Sequence, residues 1–134
     1  MAITTFAQFT NGLAGLSVTG VNRSYDHPPA SIDTADLPAL WIMLPSNDEP
    51  SFTFEGQGGW ATLTCDVIIA VEPVGQNTQS ANYDLTITIL DNLCDALRDA
   101  DIGRSKLTWA INTNVTIEIS GTTYWAIVAT VEGR

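Results

Sequence analysis

Basic residues, histidine and cysteine are scarce in this sequence, and each scarcity narrows what the protein can do. Only 5 lysine and arginine residues stand against 15 aspartate and glutamate residues, which gives a formal net charge of −10. Tight or sequence-specific binding to nucleic acid is therefore not expected, because contacts with phosphates need basic side chains. The two cysteines, Cys65 and Cys94, are too few for a disulfide scaffold and should be buried, reduced thiols.

Long apolar runs are also missing. No stretch approaches the roughly 20 apolar residues that a membrane-spanning helix needs, and the first residues lack the charged and apolar regions of a signal peptide. We therefore expect a soluble protein made in a cytoplasm. The chain has 134 residues, of which 45% are hydrophobic. This is enough for one core, and residues 1–134 are expected to form a single domain.

Histidine scarcity bears directly on catalysis. His27 is the only histidine, so a Ser-His-Asp or Cys-His system would have to use it. It lies in a proline-rich loop with Asp26, Asp33 and Asp36, and loop carboxylates can bind a hard cation. A small ligand- or metal-binding protein that uses this loop is therefore one hypothesis. The spacing matches no known metal site, and a solvated acidic loop is the simpler interpretation. We expect no catalytic residue, no metal and no cofactor.

What the sequence contains in abundance is β-strand periodicity, clearest over residues 59–72. Apolar and mostly polar positions alternate there along a stretch rich in β-branched residues. Residues 51–55 alternate in the same way and residues 56–59 are rich in glycine, so the two segments should form a long β-hairpin. Further strands are predicted at residues 17–25, 37–45, 106–120 and 123–131, the last two joined by a tight turn.

Two segments have the spacing of amphipathic helices. Residues 5–8 match a capping box that opens a short N-terminal helix. Residues 80–100 contain a run that alone favours a strand, but a helical apolar stripe continues over about four turns and predicts a helix. This stripe consists of Tyr83, Ile87, Leu90, Cys94 and Leu97.

The order of these elements predicts the fold class. Strands outnumber the two helices, so we expect an α+β domain, in which both helices pack on one side of a mostly antiparallel sheet. Asp91, Asp95 and Asp99 recur every four residues on the second helix and should form a solvated face. Three of the four tryptophans are expected to face the core: Trp41, Trp109 and Trp125.

The hairpin tip is the part of the chain best suited to contact another molecule. Trp60 lies beside the glycine-rich turn and opposite the main apolar face, and large aromatic side chains often anchor interfaces. Packing within its own subunit is the alternative for this residue. We predict that the tip contacts a neighbouring subunit or a tube-like partner through Phe52, Phe54, Gln57 and Trp60.

The succession of segments resembles the tail-terminator and neck, or tail-completion, proteins of long-tailed bacteriophages. The shared order begins with the capped helix and a strand that enters a Tyr-Asp-His-Pro-Pro loop at residues 25–29. Leu-Pro-Ala at residues 37–39 then precedes an apolar strand, followed by the long hairpin and the second helix. A closing hairpin contains Trp-Ala-Ile-Val at residues 125–128. The similarity extends over nearly the whole chain.

This resemblance implies a structural protein of the virion, made in the host cytoplasm and free of catalytic residues. Such proteins form a hexameric ring that ends polymerisation of the tail tube and joins the tail to the head connector. The implied partners are further copies, the tail tube protein and the connector or stopper protein. DNA would pass through the lumen without specific binding, and an acidic wall would repel it. Another neck or minor tail protein, such as a stopper, is the alternative within this class.

Overall fold

The structure is a computed structural model that describes residues 6–25, 27–44, 52–54, 61–74, 79–100 and 107–133. None of the helices in these ranges is long and apolar enough to cross a membrane. The elements in chain order are α1 (Phe6–Ala14), β1 (Arg23–Ser24), a 3₁₀ helix (Thr34–Asp36), β2 (Ala39–Met43), β3 (Phe52–Phe54), β4 (Ala61–Pro73), α2 (Gln79–Arg98), β5 (Leu107–Ile119) and β6 (Thr122–Gly133).

The six strands form one sheet with the order β1-β2-β4-β6-β5, and β3 lies beside β4. The pairing of β1 with β2 is parallel, whereas all the other pairs are antiparallel. Two strands share one side of β4, because Asp66 to Ala70 pair with β2 and Ala61 to Leu63 pair with β3. The predicted α+β class with a mostly antiparallel sheet is confirmed. The pairing of β3 with β4 confirms the base of the predicted hairpin.

Both helices cover the same face of the sheet, which we call the helix-covered face. Phe9 and Leu13 of α1 and Ile89, Leu93 and Leu97 of α2 are fully or almost fully buried there. Their apolar side chains remove the inward face of both helices from water, which is the main favourable term in packing a helix on a sheet. The strand residues in this cluster include Leu40, Ile42, Leu63, Cys65, Val67, Ile69, Ile127, Ala129 and Val131.

The opposite face of the sheet is covered at one end by the segment between β1 and β2. Ile32 and Leu37 from this segment pack in a second cluster with Trp41 and Tyr124. The Tyr124 hydroxyl donates a hydrogen bond of 3.4 Å to the backbone carbonyl of Ile32. This cluster explains why β2 is apolar almost throughout, since a strand buried on both faces has no position for a polar side chain.

Burial of β4 extends to its polar positions. Thr62, Thr64 and Asp66 are all buried, and the Thr130 hydroxyl donates a hydrogen bond of 2.9 Å to Asp66 Oδ1. The sequence alternation correctly predicts the strand and its helix-covered face. It does not predict that the polar side of the same strand is also buried.

The strand predicted at residues 17–25 is wrong except for its last part. Only Arg23–Ser24 forms a strand, beside β2. Gly20 has a φ of 97°, and the Val21 amide donates to the Val18 carbonyl, so the chain turns where the prediction has it extended. The Asn22 side chain then donates to the Leu37 carbonyl across 2.6 Å. One glycine in the left-handed region thus shortens the strand to two residues.

The helix predicted at residues 80–100 is confirmed as α2, but its predicted apolar stripe is only partly right, because Leu97 is its one buried member. Tyr83 and Ile87 are 67% and 40% exposed, and Leu90 is only half-buried. The residues that lie in the core or pack against it are Leu85, Ile89, Leu90, Leu93, Ala96, Leu97 and Ala100. With 100° per residue, this buried stripe is centred about 100° around the helix from the predicted one. The alanines extend the true stripe without looking strongly hydrophobic in the sequence.

The closing hairpin matches its prediction. Strands β5 and β6 pair along their length, with an irregularity between Asn112 and Val115. Ser120 and Gly121 have φ values of 53° and 81°, as expected for a two-residue turn that suits the right-handed twist of the strands. The three tryptophans predicted to face the core are not equally buried. Trp41 is buried, whereas Trp109 and Trp125 are half-buried.

The two cysteines are free, as predicted. Cys65 is fully buried in the core, whereas Cys94 is only half-buried on α2. Burial, with a further contribution from the adjacent Asp66, raises the pKa of the Cys65 thiol to about 12. This thiol is therefore neutral at physiological pH.

Candidate assembly surfaces

The predicted contact residues of the hairpin fall partly outside the described part of the chain. Phe52 and Phe54 lie in β3, opposite Leu63 and Ala61 respectively. Gln57 and Trp60 lie outside the described residues, as does the turn at residues 55–60. The hairpin therefore forms as the sequence predicts at its base, and the contact made by its tip stays a prediction.

One edge of the sheet is formed by β2 and β3 in line. β1 pairs only with Ala39 and Leu40. Residues 41–43 and Phe52–Phe54 pair with β4 on their inner side, and within the described ranges no strand pairs with their outer side. Two large apolar side chains are exposed at the end of β2 and directly after it. They belong to Met43, which is 40% exposed, and to Leu44, which is 61% exposed. We call residues 41–44 and 52–54 the β2–β3 edge.

The other edge of the sheet is the 13-residue strand β5. In the part of the chain that the structure describes, β5 pairs with β6 alone. An unpaired edge presents a row of amide and carbonyl groups on which another strand can form. Proteins usually protect such edges with charged side chains or proline, but residues 107–117 contain neither. The irregularity after Asn112 confines the regular part of this edge to residues 107–112, which we call the β5 edge.

Apolar side chains at the β5 edge are incompletely buried. Leu107, Trp109 and Ile111 pack against the core cluster on the helix-covered face but remain half-buried. Thr108 and Ala110, whose side chains alternate with these, are exposed. The core thus continues to the last strand of the sheet, where its outer side has no cover from the described residues.

The outer face of α2 is acidic, as predicted. Asp91, Asp95 and Asp99 are all exposed, and Arg98 forms an ion pair with Asp95. Like charges spaced four residues apart on a helix repel one another by a few tenths of a kcal/mol per pair. This face is solvated, and such exposed ion pairs contribute little to stability.

The His27 loop brings few potential ligands together. His27 and Asp33 are exposed, and Asp26 lies outside the described residues. Asp36 accepts a hydrogen bond of 3.4 Å from the Tyr25 hydroxyl, and burial together with Asp36 raises the pKa of Tyr25. Among the described residues, no group of three histidine, cysteine, aspartate or glutamate side chains lies close enough to hold a metal ion.

Comparison with known proteins adds no relative: no family model matches this chain, and no curated protein matches its sequence. The surfaces described above are therefore the basis for inferring a function. The two sheet edges stand out among them, because each combines backbone that no described residue pairs with and apolar side chains that are incompletely buried.

Proposed function

We propose that this protein is a structural component of a bacteriophage tail, where it forms a hexameric ring at the head-proximal end. The ring ends polymerisation of the tail tube and joins the tail to the head connector. The observation that carries this proposal is that the sheet has two different edges, the β5 edge and the β2–β3 edge, whose outer sides pair with none of the described residues. A contact between two different surfaces of the same chain can repeat from copy to copy, and it closes into a ring when the rotation fits.

The charge of the chain supports the same role. Six copies at −10 each would carry a formal charge of −60. DNA that passes through such a ring is repelled by the acidic wall and does not adhere to it. The resemblance to tail-terminator and neck proteins supplies the place in the virion, and the edges supply a means of assembly.

Oligomeric state is the first test of this proposal. Native mass spectrometry and negative-stain microscopy of the purified protein, alone and with tail tubes, should reveal sixfold rings. Addition of the protein to growing tubes should stop their elongation, which a head-side stopper would not do. A protein that stays monomeric at high concentration and binds neither tube nor connector would exclude the proposal.

The hairpin tip gives a second arm of the same experiment. Trp60→Ala should leave the fold intact and reduce ring formation or tube binding, because the tip is predicted to contact a neighbour or the tube. Tyr83→Ala is the matched control, since this exposed aromatic residue lies on α2. Unchanged assembly of the Trp60 variant would show that the tip is not the contact, while leaving the ring itself to be judged by the first test.

A further inference from the structure

The two sheet edges lie at the same height along the strands. Cross-strand pairs connect Leu107 of β5 through β6 and β4 to Phe52 of β3. In the same way they connect Ala110 to Met43. The β5 edge and the β2–β3 edge thus occupy the same rows of the sheet.

This shared height matters for a ring. Rotation about an axis preserves height along that axis, so surfaces that meet in a cyclic ring must lie at the same level. With the strands roughly along the axis, the β5 edge of one copy faces the β2–β3 edge of the next. Closed sheets also stagger their strands, so the register can shift by a few residues from the rows within one subunit.

Strand direction agrees with this arrangement. β5 is antiparallel to β6, β6 to β4, and β4 to both β2 and β3. β5 therefore runs opposite to β2 and β3, and rotation about an axis along the strands keeps these directions. A neighbouring β2–β3 edge beside β5 would thus continue the antiparallel pattern of the sheet.

Side-chain burial favours the same pairing. Leu107, Trp109 and Ile111 are half-buried at one edge, and Met43 and Leu44 are exposed at the other. Neither the β5 edge nor the β2–β3 edge contains a charged residue, although the chain carries a net charge of −10. Contact between the edges would cover apolar groups on both. Two-fold pairing of β5 with itself would close at two copies and leave Met43 and Leu44 exposed.

We infer that neighbouring subunits join by antiparallel pairing of the β5 edge with the β2–β3 edge of the next copy, which makes the sheet continuous around the ring. This inference rests on the proposed ring and specifies its interface. The partner is a second copy of this chain, recognised through backbone hydrogen bonds and apolar side chains, as in other cases of strand addition.

Disulfide trapping tests the pairing. In one subunit, Ala110 and Met43 are separated by three strand spacings, about 14 Å, and a disulfide needs Cα atoms within about 7 Å. A bond between Ala110→Cys and Met43→Cys must therefore join two copies. Both changes are made in a chain that also carries Cys94→Ser, so that this half-buried thiol cannot form the bond. A second set of variants has Thr108→Cys in place of Ala110→Cys, because the register between copies can shift by a few residues.

Mixing the two single variants under mild oxidation should give a covalent dimer on a non-reducing gel, and neither variant alone should. The chain that carries both changes should give a ladder that ends at the size of the ring. A dimer from Ala110→Cys alone would overturn the inference in favour of two-fold pairing of β5. Rings of the wild type without any trapped pair would also overturn it but leave the proposed function standing. Wild-type protein that never forms rings would remove both.

A charged substitution at the β5 edge gives an independent test of the pairing. Ala110→Lys should abolish ring formation, because an exposed lysine blocks the addition of a strand. Thr116→Lys is the matched control: the residue is exposed on the same strand but lies beyond the irregularity, in a row that β2 does not reach. Both variants should retain the circular dichroism spectrum and unfolding midpoint of the monomer. Equal ring formation by both would contradict the inference.

Discussion

The orientation of α2 provides a sharp test of the structure, because the sequence pattern and the fold assign its core face to partly different residues. Leu93 is fully buried and Ile87 is 40% exposed. Replacement of a buried leucine by alanine costs about 2–5 kcal/mol through lost burial and the cavity left behind, and we expect about 3 kcal/mol for Leu93→Ala. Ile87→Ala should cost about 1 kcal/mol or less, since much of the side chain stays in water and alanine favours the helix.

Urea unfolding followed by far-UV circular dichroism measures both free energies, provided that the slope with urea is the same in the two variants. In thermal unfolding, about 4 °C per kcal/mol at this chain length gives a loss of about 12 °C for Leu93→Ala and at most about 4 °C for Ile87→Ala. The measurements belong at a concentration where the protein is monomeric, because assembly adds stability. An Ile87 variant that loses as much as the Leu93 variant would refute the orientation and restore the stripe predicted from the sequence.

Two further predictions concern the middle of β4. The pKa of Cys65 is raised to about 12, so the unfolded chain loses the thiol proton at lower pH than the folded one. The free energy of unfolding should therefore fall between about pH 9 and 12, by up to about 1.4 kcal/mol per pH unit. Cys65→Ala should lack this part of the alkaline loss, and identical pH profiles would contradict the assignment. Thr130→Val should lower the free energy of unfolding by about 1–3 kcal/mol, because it leaves the Asp66 carboxylate without its hydroxyl donor. In a chain that also carries Asp66→Ala, the same change should cost much less. Equal costs in both chains would show that the hydrogen bond does not contribute to stability.

Elements with a repeated local pattern were predictable from the sequence. The alternation in β4, β5 and β6 continues over 12 or 13 residues, so isolated exceptions do not obscure it. The α2 helix outweighs a local Leu-Thr-Ile-Thr-Ile run because its apolar spacing persists for several turns. Residues 17–25 lack such repetition, and there the backbone of Gly20 decides the outcome.

Other features depend on contacts that no local pattern contains. Which stripe of α2 meets the sheet depends on how the helix lies against β4 and its neighbours, and both stripes of this helix are apolar enough to serve. The burial of Asp66 depends in the same way on elements distant in sequence. Sequence periodicity thus establishes that an element forms and is amphipathic, whereas tertiary packing selects the face.

The sheet edges show this limit most clearly. Trp109 was predicted to face the core, and it does lie on the helix-covered face, but its strand is the last in the sheet and leaves it half-buried. Strand order arises from pairing between distant segments, so alternation alone cannot reveal which strand lies at an edge. One signal was present: residues 107–117 carry no charge in a chain of net charge −10. A long uncharged stretch at an edge is costly for a monomer, since it invites aggregation. Its retention is understandable if a matching edge of another copy covers it, and the β2–β3 edge has the height, direction and apolar character to do so.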